Sequence, residues 1–387
     1  MRVMLGAVWP THLMSMVPVA WALRAAGHDV IVAGRPDVTP VAEAAGLPIG
    51  VLEGGEPADP RGAAGRLGSR RSGVHGGRWE EGWDNIARRW VNRADDVLDA
   101  YLSFARDWRP DLVVTDPLEF SGLIVGGVLG VPAVRHRFGP EVLITTGRDV
   151  ARRALHDHCV RAGLETGLPD PALTLDPCPP SLQHPDAAPA RTVRYIAYNG
   201  PGTLPTLPDK RPGARRVLVC LGTRSLALDG RLSILRNVVR ACGELPGVEA
   251  VVTCVPEYHG ALLEVAPDSV HVIDPTPINL LLDDCDAMVV YGGAGTLHTG
   301  LSFGLPQLVV PSDHHILVLA GERVEASGTG RMVPGAAVQA DHGAAKDALA
   351  AILDDSAYRA GAQKLRDEID RQPTPADLVP ELERLAG

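Results

Sequence analysis

Lysine is almost missing from this chain. Of 37 basic residues only Lys210, Lys346 and Lys364 are lysine, which leaves 34 arginines. With abundant Ala, Gly and Pro, that bias marks a GC-rich genome. Positive charge as a whole is scarce: 37 basic against 47 acidic residues give a formal net charge of -10, with no basic block to offset it. Nucleic acid and anionic membrane surfaces demand clustered cations, so neither is expected as a partner. Long apolar runs are missing too. The longest, residues 121–134, is too short and too broken by glycine to span a bilayer. Met1 to Val8 begins directly as a strand, without the charged, apolar and cleavage regions of a signal peptide, so a cytoplasmic location is expected. The six cysteines, Cys159, Cys178, Cys220, Cys242, Cys254 and Cys285, include no CxxC pair and no Cys/His cluster at zinc spacing. They read as small buried hydrophobes in a reducing compartment, and no metal site is expected.

What is present suffices for two domains. A chain of 387 residues, 45% of them hydrophobic, has the length for two domains of roughly 150–200 residues each. β-Branched runs alternate with amphipathic segments: strands are expected at Arg2–Val8, Asp29–Ala33, Asp111–Thr115 and Val131–Arg135, and helices at Ser15–Ala26, Val38–Ala45, Trp79–Trp108 and Glu119–Leu129. Between them Glu53 to Arg78 loses all periodicity and reads as a surface loop that orders on ligand binding. Prolines crowd residues 168–211, with strand-like pieces at Thr174–Leu175 and Arg194–Ala197. A second series follows: strands at Arg216–Leu221, Val248–Cys254, Val270–Ile273, Ala287–Tyr291 and Gln307–Val310, with helices at Arg231–Glu244, Ile278–Leu282 and Gly295–Phe303. The expected organisation is a first domain over 1–199, a linker over 200–214, a second domain over 215–372, and a final helix over 373–387 that crosses back to the first, because Pro373 and Pro375 break the helical tail. Both domains read as doubly wound α/β units with parallel sheets, facing each other across a cleft. Such sheets bind ligands at the carboxyl ends of their strands.

Three features converge on those ends. Thr11-His12-Leu13 follows the first strand as a loop, and an imidazole, with a free pKa near 6.5, suits proton abstraction from a hydroxyl; capping or packing is the other reading. Thr115-Asp116-Pro117 ends another strand. Asp116 reads either as the carboxylate that orients His12 or as a helix N-cap with Pro117 at the first helical position. The third feature is a pair of small-residue loops after strands, Gly222-Thr223 and Tyr291-Gly292-Gly293-Ala294-Gly295-Thr296. Glycines let backbone approach a ligand, and the N–H groups of a helix's first turn have no partners within the helix, so both loops read as an anion cradle for a diphosphate; a simple packing turn is the alternative. No carboxylate cluster nearby resembles a magnesium site. His156 and His158 do not share a helical face as a metal pair would need, and read as surface residues. Trp79, Trp83 and Trp90 stand at helical spacing, as core or as the lining of a pocket for a flat ligand.

The succession Thr11-His12-Leu13, Pro18-Val19-Ala20-Trp21-Ala22-Leu23, Thr115-Asp116-Pro117, Leu221-Gly222-Thr223, Gly292-Gly293-Ala294-Gly295-Thr296 and Gly304-Leu305-Pro306-Gln307 resembles actinobacterial natural-product glycosyltransferases of the GT-B fold, over nearly the whole chain. The resemblance implies inverting, metal-independent transfer of a deoxysugar from a dTDP- or UDP-sugar co-substrate to a polyketide-like aglycone, with no other cofactor. It implies His12 as general base and Asp116 as its orienter. Gly222, Thr223 and Tyr291 to Thr296 would hold the diphosphate, Thr276 the nucleobase, and Asp313, His315 and Ile316 the sugar. Trp79, Trp83 and Glu119 fall on the acceptor side. A homodimer is left open.

Two departures stand out. Tyr291 occupies a position where the family carries histidine, and a phenol donates one hydrogen bond but cannot supply an imidazolium's charge. The Asp-Gln pair that the family places four and five residues beyond the proline is replaced here, beyond Pro311, by His315 and Ile316. They keep two other readings open: a glycosyltransferase-like accessory subunit without transfer activity, and another sugar-nucleotide reaction on the same fold.

Overall fold

Short apolar runs with almost no exposed surface set the frame of the computed structural model, which describes residues 1–53, 82–141, 143–222 and 231–387. Val3, Met4 and Leu5, and likewise Leu112, Val113 and Val114, are fully buried. Strands covered on both faces belong in parallel sheets flanked by helices. The first sheet runs β1 (Arg2–Gly6), β2 (Asp29–Gly34), β3 (Ile49–Val51), β4 (Leu112–Thr115), β5 (Ala133–His136), β6 (Leu173–Asp176) and β7 (Arg191–Thr192), in the spatial order β3-β2-β1-β4-β5-β6-β7, all parallel. The second contains β8 (Arg215–Cys220), β9 (Val248–Thr253), β10 (Val270–Ile273), β11 (Ala287–Val290), β12 (Gln307–Val309) and β13 (Gly330–Met332), in the order β10-β9-β8-β11-β12-β13, again all parallel.

Each sheet therefore reverses its winding once, between β1 and β4 and between β8 and β11. At such a switch point the connections leave in opposite directions and open a crevice at the strand ends. Register makes this concrete. Gly6 lies opposite Thr115, and Cys220 opposite Val290, so Ala7 and Asp116 emerge side by side in one sheet, as do Leu221 and Tyr291 in the other.

Two compact units result, residues 1–177, 185–194 and 373–387 in one, and 178–184 with 195–372 in the other. The helix Pro375–Ala386 belongs to the first unit. A capping box between Thr374 and Asp377 starts it, Arg194 N donates to the carbonyl of Pro373 at 2.7 Å, and Glu383 lies 2.9 Å from His28 Nε2. The crossing at 194–195 comes ahead of the stretch 200–214 that reads as a linker. Tyr195 and Asn199 hydrogen-bond to the helix Ala294–Ser302 of the second unit, which ties this segment down.

Several local expectations are corrected. The first helix begins at Pro10, not Ser15, because proline suits the first helical position and the helix tolerates Pro18 further on. The strand expected at Arg194–Ala197 is two residues, Arg191–Thr192, and the helix expected at Ile278–Leu282 is a single 3-10 turn, Ile278–Leu280. Residues 54–78 of the expected loop lie outside the described residues.

The end of β1 is tightly enclosed. A β-carbon on Gly6 would strike the Tyr101 hydroxyl, which donates to the carbonyl of Ala33 at 2.7 Å. Gly6→Ala is expected to cost about 1–3 kcal/mol in urea unfolding, and under about 1 kcal/mol in a Tyr101→Phe background, where the hydroxyl is gone. An equal loss in both backgrounds would show that another contact is responsible.

Candidate active site

In the first unit the chain leaves β1 at Gly6 and enters the helix Pro10–Ala25, whose first bond runs from His12 N to the Trp9 carbonyl. His12 thus sits in the first helical turn, not in a free loop. Its Nδ1 lies 3.2 Å from Asp116 Oδ2. The Nδ1 proton is not aimed squarely at that oxygen, an offset common in catalytic hydrogen bonds before substrate tightens them. Asp116 is locked in place: Oδ2 accepts the Val8 N–H at 2.6 Å, Oδ1 accepts the Leu118 N–H at 2.7 Å, and its own N–H donates to the Gly6 carbonyl at 3.1 Å. The Oδ1 contact is an Asx turn, and the helix N-cap expected at Asp116 falls instead on Glu119. Burial alone would raise the Asp116 pKa, but the His12 contact and the two backbone N–H donors outweigh it and hold the carboxyl below its usual range. The side chain of Asp116 is 0% exposed and that of His12 16%, so the imidazole is the member of the pair that a ligand can touch.

Around this pair stand residues that sequence reasoning passed over. Phe138, after β5, packs its ring on His12 with centroids 4.5 Å apart and planes 33° apart. Arg93, from the helix Trp83–Trp108, places Nε and Nη2 at 2.9 and 2.6 Å from Glu119 Oε2. Glu119, expected to face an acceptor, is buried instead, its carboxylate turned to Arg93. His136, at the end of β5, is buried, and that burial pushes its pKa down to about 4, so it stays neutral. Trp83 is half-buried in the core against Gly147 and Trp90; Trp79 lies outside the described residues. His158, read as a surface residue, is buried with Nε2 2.8 Å from Asp95.

In the second unit β11 delivers Tyr291, then Gly292 with φ +96°, then Gly293 as the N-cap of the helix Ala294–Ser302. Only glycine fits position 292, where the positive φ is compounded by the Leu317 carbonyl 3.0 Å from any β-carbon. Beside Gly293 and Gly295 there is open space, since a β-carbon at either would meet nothing within 4 Å. The first intrahelical bond is Leu297 N to Gly293 O, which leaves the N–H groups of Ala294, Gly295 and Thr296 without partners along the helix. From behind, the Tyr195 hydroxyl donates to the Gly295 carbonyl at 2.9 Å. Gly222, φ +76°, follows β8 on the other side of the switch point; Thr223 lies outside the described residues. Tyr291 packs its ring on the core and shares a 2.8 Å hydrogen bond with Ser312 Oγ. His315 opens the helix His315–Ala326, and burial, then His314 and His184, push its pKa down to about 4. Ile316 is half-buried, Asp313 exposed, and Thr276 Oγ1 donates to the Asp274 carbonyl at 3.0 Å.

Comparison with known proteins decides the family. The models of the erythromycin biosynthesis protein CIII-like N-terminal and C-terminal domains match residues 21–222 and 237–385. Tylactone mycaminosyltransferase of Streptomyces fradiae is 34% identical, over 100% of this chain and 93% of its own length. L-demethylnoviosyl transferase of Streptomyces niveus is 35% identical, over 94% and 93%. The solved structure of spinosyn rhamnosyltransferase SpnG superposes with TM-score 0.87 at 38% identity, covering 99% of this chain and 100% of that one, and is also known with thymidine diphosphate and with spinosyn aglycone. The chain belongs to the CIII-like glycosyltransferases. It is a glycosyltransferase of the GT-B fold, with two parallel-sheet α/β units. Among the described residues of this glycosyltransferase no helix is long and apolar enough to cross a membrane, and no cluster of three or more His, Cys, Asp or Glu side chains is arranged to hold a metal ion.

Asp116→Asn tests how far the glycosyltransferase depends on this carboxylate. Whichever way the amide turns, its NH2 meets a backbone N–H, from Val8 or from Leu118. The expected loss is about 1–3 kcal/mol in urea unfolding at pH 7; an unchanged midpoint would sink the assignment of both bonds.

Proposed function

We propose that this glycosyltransferase moves a deoxysugar from a thymidine or uridine diphosphate sugar to a hydroxyl of a hydrophobic natural-product aglycone, with inversion at the anomeric carbon. The substrate class follows the relatives, which include a mycaminosyltransferase acting on tylactone and a desosaminyltransferase acting on 10-deoxymethynolide. Solved neighbours complexed with thymidine diphosphate favour the thymidine donor.

The observation that carries the reading is the contact of a partly exposed His12 with a fully buried Asp116 at the first unit's switch point. With Nδ1 turned to the carboxylate, Nε2 is the nitrogen that takes the proton from the acceptor hydroxyl. As the proton leaves, the acceptor oxygen forms its bond to the anomeric carbon and the bond to the diphosphate breaks, the electron pair departing with the phosphate oxygen. Asp116 stabilises the imidazolium through the Nδ1 contact. Sealed from solvent, it is in no position to attack a sugar itself, which supports a single displacement and hence inversion. Charge growing on the diphosphate is met by the N–H groups of Ala294, Gly295 and Thr296, Gly222, Thr223 and Tyr291 are assigned to the same diphosphate, and the reading requires no metal. Thr276 is assigned to the nucleobase, Asp313, His315 and Ile316 to the sugar, and Trp79 and Trp83 to the acceptor. The Ser312 bond of Tyr291 favours a second reading, a glycosyltransferase-like accessory subunit whose donor site no longer binds nucleotide. Micromolar binding of thymidine diphosphate by calorimetry separates the two.

His12→Gln is expected to lower kcat by about 10²–10⁴-fold with thymidine diphosphate affinity unchanged; full activity in this variant would refute the base assignment. Tyr291→His adds a chargeable donor to the cradle. It is expected to tighten thymidine diphosphate binding about threefold to tenfold at pH 6, and less at pH 8 where the imidazole is neutral. Weaker binding at both pH values would mean that the phenol makes a contact of its own.

A further inference from the structure

We propose that Phe138 is a positioning residue for the base, holding the His12 imidazole by one face and stabilising the imidazolium that forms when the ring takes the acceptor's proton. The inference rests on the reading of His12 as base. Its geometry is a direct contact: ring centroids 4.5 Å apart and planes tilted by 33° bring the π face of Phe138 against His12, while Asp116 meets the same imidazole at its Nδ1 edge. A ring gripped on an edge and a face cannot turn about its long axis without losing one contact. An aromatic face is the negative end of the ring quadrupole, so it attracts the cation more than the neutral imidazole.

Phe138 is itself firmly placed. On one side Arg137 donates to Asp176 at 2.9 Å and to the Ala188 carbonyl at 2.8 Å. On the other, Glu141 accepts the Ile144 and Thr145 N–H groups and so starts the helix Leu143–Ala154. Among the described residues, the charged groups around this pair have partners of their own or are kept neutral. Asp116 follows β4, Arg93 and Glu119 neutralise each other, Arg137 is shared by Asp176 and Glu141, and His136 is kept neutral by burial.

The test is an NMR titration of the histidine rings in the whole protein, the His12 signal being the one lost in His12→Gln. In Phe138→Leu the His12 midpoint is expected to fall by about 0.3–0.7 of a pH unit, and in Phe138→Tyr to return to the wild-type value. The acid limb of kcat/KM should move to lower pH by the same interval in the leucine variant, while its plateau falls about twofold to fivefold. A purely structural role would lower the plateau without moving the limb. If Phe138→Leu does not fold, Phe138→Met, whose flexible unbranched side chain adapts better to the site, replaces it. An unmoved midpoint in a folded leucine or methionine variant, or identical behaviour of the leucine and tyrosine variants, overturns the proposal. Failure of the base reading shows up separately, as an active His12→Gln enzyme, because the titration reads the ring contact without any turnover.

Discussion

The carboxylate of Asp116 serves three groups with two oxygens: the backbone N–H of Val8, the backbone N–H of Leu118 and the Nδ1 of His12. Leu118 comes from Asp116's own turn, while Val8 and His12 come from the segment after β1 and are brought into reach by the pairing of β1 with β4. A buried carboxylate without such donors would be driven to protonate; here they outweigh its desolvation and keep it ionised. The arrangement is reciprocal. The loop after β1 owes its course to Asp116, and His12 owes its orientation to where that loop enters its helix. The enclosure of Gly6 by Tyr101 and the turning of Glu119 toward Arg93 keep the same strand ends packed and dry.

The second unit uses the same topology with different chemistry. Between β8 and β11 the groups presented at the crevice are mostly backbone: the first-turn N–H groups of the helix Ala294–Ser302 and the positive-φ glycines Gly222 and Gly292. A backbone cradle depends on helix direction and on the absence of side chains more than on any one residue. Tyr291, turned to the core and to Ser312, leaves those backbone groups in place. The groups of the first unit's site are side chains instead, so what they can do depends on which residues stand at 12 and 116.

Much of this was legible in the residue pattern. The strands that flank the switch points, β1, β4, β8 and β11, are buried on both faces and therefore appear as unbroken apolar runs that need no knowledge of neighbours. Asp116 and the glycine loops follow those runs directly. Elements whose definition depends on partners were harder. β7 is two residues held by β6, and β3 and β13 are three residues each at or near sheet edges. Pro10 shifted a helix start because the rule for proline at a first turn competes with apolar periodicity. His158 looks polar along the chain, yet packing buries it against Asp95.

By itself, then, the sequence determined the fold class, the two sheets and which strand ends carry chemically capable residues, since hydrophobic period, glycine position and residue type are local properties. Tertiary structure decided which of those residues touch: that His12 meets Asp116 with its Nδ1, that Phe138 covers the imidazole's face, that Glu119 turns inward to Arg93, and that Tyr291 leans on Ser312. The reason is distance along the chain. Asp116 and Phe138 stand more than a hundred residues from His12, and only the pairing of β1 with β4, and of β4 with β5, brings them to one place.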